Sequence, residues 1–170
     1  MLTKLSQHIA EVAVVYVPGR NLLAHAVRGQ GCYVNGQKVT LGHWSDKLRD
    51  KTMLGIELGP WWAKANLPAT VLLPLLERFA IRSVLSGAYG TIAMLRGETQ
   101  AWVNLNVGWP WDFAPGSLFM KEAGGWASGP DGRELEFKRL EHMDVVYAVN
   151  EEMAQQILPL TTRWVQARSG

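Results

Sequence analysis

Ile81-Arg82-Ser83-Val84-Leu85-Ser86-Gly87-Ala88 passes from an apolar stretch into a run of small residues, and the strand-to-helix alternation that it opens decides the fold. A strand over Ile81 to Leu85 turns at Ser86-Gly87 into a helix over Ala88 to Leu95, which Gly97 ends. Another strand covers Gln100 to Leu105, and a second helix is expected from Asp112 to Gly124-Gly125. Strands alternating with helices of this length predict an α/β layer structure with a partly parallel sheet.

Working outward, Met53 to Glu57 reads as a short strand, followed by a loop with Gly59-Pro60-Trp61-Trp62. A helical stretch over Pro68 to Phe79 comes next, with Pro68 suited to its first turn and Pro74 expected to kink or split it. Downstream, Trp126 to Ser128 and Leu135 to Phe137 are expected as short strands flanking the turn Gly129-Pro130-Asp131-Gly132. Val145 to Val149 is an apolar strand, and Asn150 caps a final helix from Glu151 to Ile157. The first 40 residues read differently. Glu11 to Tyr16 and Leu22 to Val27 are strands joined at Pro18-Gly19-Arg20-Asn21, and Asn35-Gly36 is a strong type I′ hairpin signal. Residues 41–50 resemble a linker. The expected organisation is an antiparallel sheet in residues 1–45 followed by an α/β domain in residues 46–170.

The chain has 170 residues, 48% of them apolar, with 17 Lys+Arg against 15 Asp+Glu and a net charge of +2. That is enough apolar material for one buried core. The basic residues are spread out, which argues against nucleic acid as a partner. A lone cysteine, Cys32, excludes an internal disulfide and a multi-Cys zinc site. The first residues lack the apolar core of a signal peptide, and no 18-residue apolar run suggests a membrane span. A cytoplasmic protein without a membrane partner is the expectation.

Trp109-Pro110-Trp111-Asp112-Phe113-Ala114-Pro115-Gly116 is the sharpest local feature. A carboxylate at a strand-to-helix junction either caps free backbone N–H groups or projects into the crevice beyond the strand ends, where α/β proteins bind ligands. Pro115, in the first helical turn, suits the helix start on either reading. Ser86-Gly87-Ala88 is either a tight turn or a place where backbone approaches a substrate closely. It lacks the Lys and spacing of a P-loop, and no His/Asp signature makes Ser86 a nucleophile. His8, His25, His43 and His142 show no metal-ligand spacing, and Cys32 reads as a packed thiol.

Together these pieces resemble the inositol monophosphatase family. Val14-Val15-Tyr16-Val17-Pro18 is similar to the family strand ending in a Pro-containing turn, and Arg28-Gly29-Gln30-Gly31-Cys32-Tyr33-Val34-Asn35-Gly36 to its Gly-x-Gly-aromatic-x-Asn-Gly hairpin. Arg82-Ser83-Val84-Leu85-Ser86-Gly87-Ala88 resembles its Arg-x-x-Gly-Ser-Ala-Ala stretch, with Leu85 in place of the first Gly. Trp111-Asp112-Phe113-Ala114-Pro115-Gly116 resembles the Trp-Asp-x-Ala-Ala-Gly signature, followed by Glu122-Ala123-Gly124-Gly125. An unrelated α/β domain is the bland alternative to five motifs in order.

The resemblance implies a layered αβαβα fold and Mg²⁺-dependent hydrolysis of a small-molecule phosphomonoester (an inositol, sugar or nucleotide phosphate). It implies that Asp112 is a catalytic residue and metal ligand, and that Ser86, Gly87 and Ala88 meet the non-phosphate part of the substrate. Many members carry an acidic residue a few positions before the Trp-Asp pair, binding a substrate hydroxyl. Here Asn104-Leu105-Asn106 occupies that region, so Asn104 is the matching substrate-binding residue and brings no charge. The family's Asp-Pro-Ile-Asp-Gly-Thr metal motif does not occur in the sequence. The expectation is therefore a truncated fold of impaired activity, or a non-catalytic homologue acting as a binding or dimerisation module. Trp44, Trp61, Trp62, Trp102, Trp109 and Trp126 are expected in exposed apolar patches that favour a homo-oligomer.

Overall fold

The computed structural model describes residues 1–58, 68–83 and 86–169. It contains two five-stranded sheets with a helix between them. The first sheet runs β1 (Leu2–Ser6), β2 (Ile9–Val17), β3 (Leu22–Val27), β4 (Gly31–Val34) and β5 (Gln37–Val39) in that order, all antiparallel. The hairpin reading at Asn35-Gly36 holds. Both residues have positive φ, 48° and 78°, as a type I′ turn requires. The Asn35 side chain also accepts from Leu23 N and donates to Asn21 O, tying the turn to the strand beside it. Strand β1 has no counterpart among the sequence expectations. Its five residues alternate too weakly to signal a strand, and its pairing to β2 breaks at a bulge beside Leu5.

The second sheet is built from β6 (Met53–Ile56), β7 (Ala80–Ser83), β8 (Ala101–Gly108), β9 (Trp126–Ser128) and β10 (Met143–Ala148), in spatial order β7-β6-β8-β10-β9. β6 is parallel to both β7 and β8, whereas β10 is antiparallel to β8 and β9, so the sheet is mixed as expected. The Pro68–Phe79 helix is split. A wide π-type turn over Pro68–Leu72 gives way to the short α1 (Leu73–Leu76), with Pro74 in its first turn. Helix α2 (Gly87–Leu95) starts from Ser86, whose Oγ accepts from Tyr89 N, and stops before Gly97 at φ 73°. Asn150 caps α4 (Glu151–Ser169) by accepting from Met153 N. That helix continues through Pro159, well past the expected end at Ile157.

Three expectations are corrected. Helix α3 (Pro110–Glu122) begins two residues before Asp112, because proline's fixed φ suits the first helical position. Asp112 therefore caps by reaching back to accept from Trp109 N at 2.9 Å, and Pro115 lies beyond the first turn. Leu135 to Phe137 is not a strand; Phe137 N donates to His8 O, outside both sheets. Trp44 and Trp102 are buried rather than exposed, and Trp109 and Trp126 are half-buried. Among the described residues, Trp111 is the exposed indole, at 49%. Trp61 and Trp62, with the expected loop around them, lie outside the described residues, as do Val84 and Leu85.

One core joins both sheets. α3 lies against β1 to β4 on one side and β9 and β10 on the other, so its buried face includes Phe113, Ala114, Leu118, Phe119 and Met120. Trp102 of β8 is wholly buried, packed near Phe113 and Tyr147. Its indole lies so close to Gly55 and Gly90 that a Cβ at either would fall 2.6 or 2.5 Å from it. Glycine at these positions lets β6 and α2 close around the ring.

Candidate active site

The parallel register sets the site. Ile56 pairs with Val103, so the next residues, Glu57 and Asn104, lie side by side at the carboxyl end of β6. Asn104 Nδ2 donates to Glu57 Oε2 at 2.7 Å. Asn104 is fully buried, and its Oδ1 has no hydrogen-bond partner among the described residues. α2 enters from the other side, where an ideal Cβ on Gly87 would sit 3.4 Å from Asp112 Cβ. The start of α2 and the first turn of α3 therefore meet over the strand ends.

Between them is a cleft of about 380 Å³, lined among others by Glu57, Ser86, Gly87, Ala88, Asn104 and Asp112. It lies beyond the carboxyl ends of parallel strands, the usual ligand position in open α/β sheets. The five residues expected from sequence to meet substrate or metal, Ser86, Gly87, Ala88, Asn104 and Asp112, all line this one cleft. Glu57 was missed, because its neighbour across the sheet depends on a register that the sequence does not display. Burial, and secondarily the Asp112 carboxylate, raise the Glu57 carboxyl above the ordinary glutamate range, and the Asn104 hydrogen bond opposes them. A second cavity of about 340 Å³, near Trp44 and Arg96, has no carboxylate in its lining.

The cleft's donors suit Mg²⁺ in kind, since carboxylate and amide oxygens are hard ligands. Two carboxylates border it, and Asn104, whose buried Oδ1 has no partner among the described residues, is part of its lining. Among the described residues, no three His, Cys, Asp or Glu side chains come together as a metal cage. Such a set suits an ion that keeps waters and shares further oxygens with a phosphate, of which Asp112 would hold one position. No helix among the described residues is long and apolar enough to cross a membrane.

Two sheets around a buried helix, with an oxygen-lined cleft at the ends of parallel strands, define a layered α/β protein. The chain belongs to the inositol monophosphatase family, whose model matches residues 2–166. It is 30% identical over 131 residues to inositol monophosphatase 1 of Solanum lycopersicum, an alignment covering 75% of this chain and 47% of that protein. Against the Nus factor SuhB of Escherichia coli it is 36% identical over 121 residues, covering 69% and 44%. The chain thus spans about half the length of these relatives. Among solved structures, a Thermotoga maritima IMPase superposes with a TM-score of 0.78 at 19% identity, covering 96% of this chain and 60% of that one. An inositol monophosphate-bound SaIMPase-II gives 0.79 at 22% identity, covering 94% and 60%. These likenesses establish the layered fold.

Proposed function

We propose that this chain carries the substrate-side half of a Mg²⁺-dependent phosphomonoesterase site. The observation that supports this reading best is the gathering of Asp112, Ser86, Gly87, Ala88 and Asn104 around one cleft. These residues belong to separate sequence motifs, and they converge at the strand ends. Asp112 is the catalytic residue and metal ligand in this reading. One of its oxygens is engaged by Trp109 N, which fixes the carboxylate's direction and leaves the other for a cation or a water. Bound Mg²⁺ would activate a water and neutralise charge on the leaving oxygen. The open start of α2, with its backbone N–H groups and the Ser86 hydroxyl, meets the substrate's non-phosphate part.

Activity of the chain by itself is proposed to be low. A metal that supplies several kcal/mol of transition-state stabilisation needs more oxygen ligands than the described residues bring together. The test is hydrolysis of inositol monophosphate and other phosphomonoesters by the purified chain at millimolar Mg²⁺. The expected outcome is little turnover, with any residual rate removed in Asp112→Asn. Vigorous turnover that survives Asp112→Asn would sink the assignment. A chain that neither turns over substrate nor binds Mg²⁺ would favour the binding or dimerisation module.

A further inference from the structure

We propose that the cavity beside Trp44 and Arg96 is a second ligand site, built for a monoanion with an apolar body, a hydrocarbon carboxylate. It encloses about 340 Å³, within the range of small-molecule pockets. It lies at the far end of α2 from the cleft. Ser86, Gly87 and Ala88 border the cleft, whereas Met94, Leu95 and Arg96 border this cavity, about 13 Å of helix away. The two cavities share no lining residue among those described.

Its walls are of two kinds. Leu41, Trp44, Met94 and Val149 make the apolar one. Trp44 is buried and its Nε1 donates to Thr52 Oγ1 at 2.6 Å, so the ring is a fixed wall whose polar atom is already satisfied. The other wall is cationic. Arg96 donates from Nε to Glu98 Oε1 at 2.7 Å, and its Nη groups have no acceptor among the described residues. Glu98 Oε2 also accepts from Arg82 at 3.1 Å, so one carboxylate serves two guanidiniums and one positive charge is in excess. His43 adds an imidazole, and no carboxylate lines the cavity among the described residues. The end of α2 does not compete for the Arg96 side chain. Its Ile92, Ala93 and Met94 carbonyls accept from the backbone N–H groups of Arg96, Glu98 and Gly97. One surplus charge matches one ligand charge, and a forked guanidinium matches a planar carboxylate. The apolar wall favours a hydrocarbon body beside it. An inorganic anion would use only the cationic wall, and a neutral alcohol only the apolar one.

The experiment measures binding of 3-phenylpropanoate to the full chain by saturation-transfer NMR titration at low ionic strength. The comparison ligands are 3-phenylpropan-1-ol, 3-phenylpropylammonium and inorganic phosphate. No Mg²⁺ is added, so this inference and the phosphatase reading fail separately. The wild-type chain is expected to bind the carboxylate roughly ten-fold more tightly than any comparison ligand. Arg96→Gln is expected to weaken that binding about ten-fold or more. Arg82→Gln keeps Arg96 and removes the surplus charge, and is expected to weaken it about three-fold. If Arg96→Gln lowers the urea midpoint, Arg82→Gln and the ligand series decide the matter. Asp112→Asn, at the other end of α2, is expected to leave carboxylate binding unchanged. Absence of binding, or unchanged affinity in both arginine variants, overturns the proposal. So does equal affinity for the alcohol or for phosphate, or a preference for the ammonium ligand. Loss of carboxylate binding in Asp112→Asn also overturns it, by placing the ligand in the cleft.

Discussion

Glu122 closes α3 against the first sheet with a single carboxylate. Its two oxygens accept from Gly29 N and Gly31 N, each at 2.8 Å. Both glycines have positive φ, 73° and 87°, which turns their N–H groups inward to the same acceptor. Hydrogen bonds to a charged acceptor are strong, so Glu122→Ala is expected to cost about 2 kcal/mol or more, read as a lower urea midpoint. Glu122→Gln should fall between, since its amide offers one acceptor oxygen for two donors. Cys32 next to this loop illustrates burial. Desolvation pushes its thiol from the ordinary 9.0 up to about 12, against a backbone hydrogen bond that lowers it. In the native chain it should resist iodoacetamide at pH 8 and react once unfolded. The unfolded chain releases this proton first, so the stability is complete below pH 9 and declines as the pH rises toward 12.

At the level of elements, α2 and α3 cross closely enough to exclude a methyl group. A Cβ on Gly116 would fall 2.7 Å from Thr91 Oγ1 and 2.8 Å from the Tyr147 ring. Gly116→Ala is therefore expected to destabilise by about 1–3 kcal/mol, measured by thermal or urea unfolding. The same crossing brings Asp112 beside Gly87, so displaced helices would also misplace the cleft. Elements with strong local chemistry were legible in the sequence: the Asn35-Gly36 turn, the Asn150 cap and the splitting of the Pro74 helix. Those that depend on partners were not. β1 is recognisable only through its pairing with β2, and α4 runs through Pro159 because its apolar face packs on β10 and on the turn before α1. At the site, Asp112 was legible from its setting of tryptophan and proline. Glu57 looked like the ordinary end of a short strand until β6 and β8 were in register. Trp102 read as exposed because its cradle of glycines comes from two other elements.

For the whole molecule, the first sheet has two apolar faces and one cover. Ala13, Val15, Ala24 and Ala26 are buried and belong to the core that α3 helps to fill. On the other face, Leu2, Tyr16 and Leu23 are 62%, 51% and 40% exposed. An antiparallel sheet facing water normally presents polar side chains there, so this face favours association. Light scattering is expected to give a mass above the 18.9 kDa of one chain, and Tyr16→Lys with Leu23→Lys should reduce it. A monomer in the unmodified chain would refute this. The Glu122 clamp has a further consequence at this scale. α3 is a beam about 18 Å long, anchored to the Gly29–Gly31 loop at one end and carrying Asp112 at the other. Loosening the anchor would let the beam swing, so the loop most distant from the cleft along α3 governs how steadily its carboxylate is aimed.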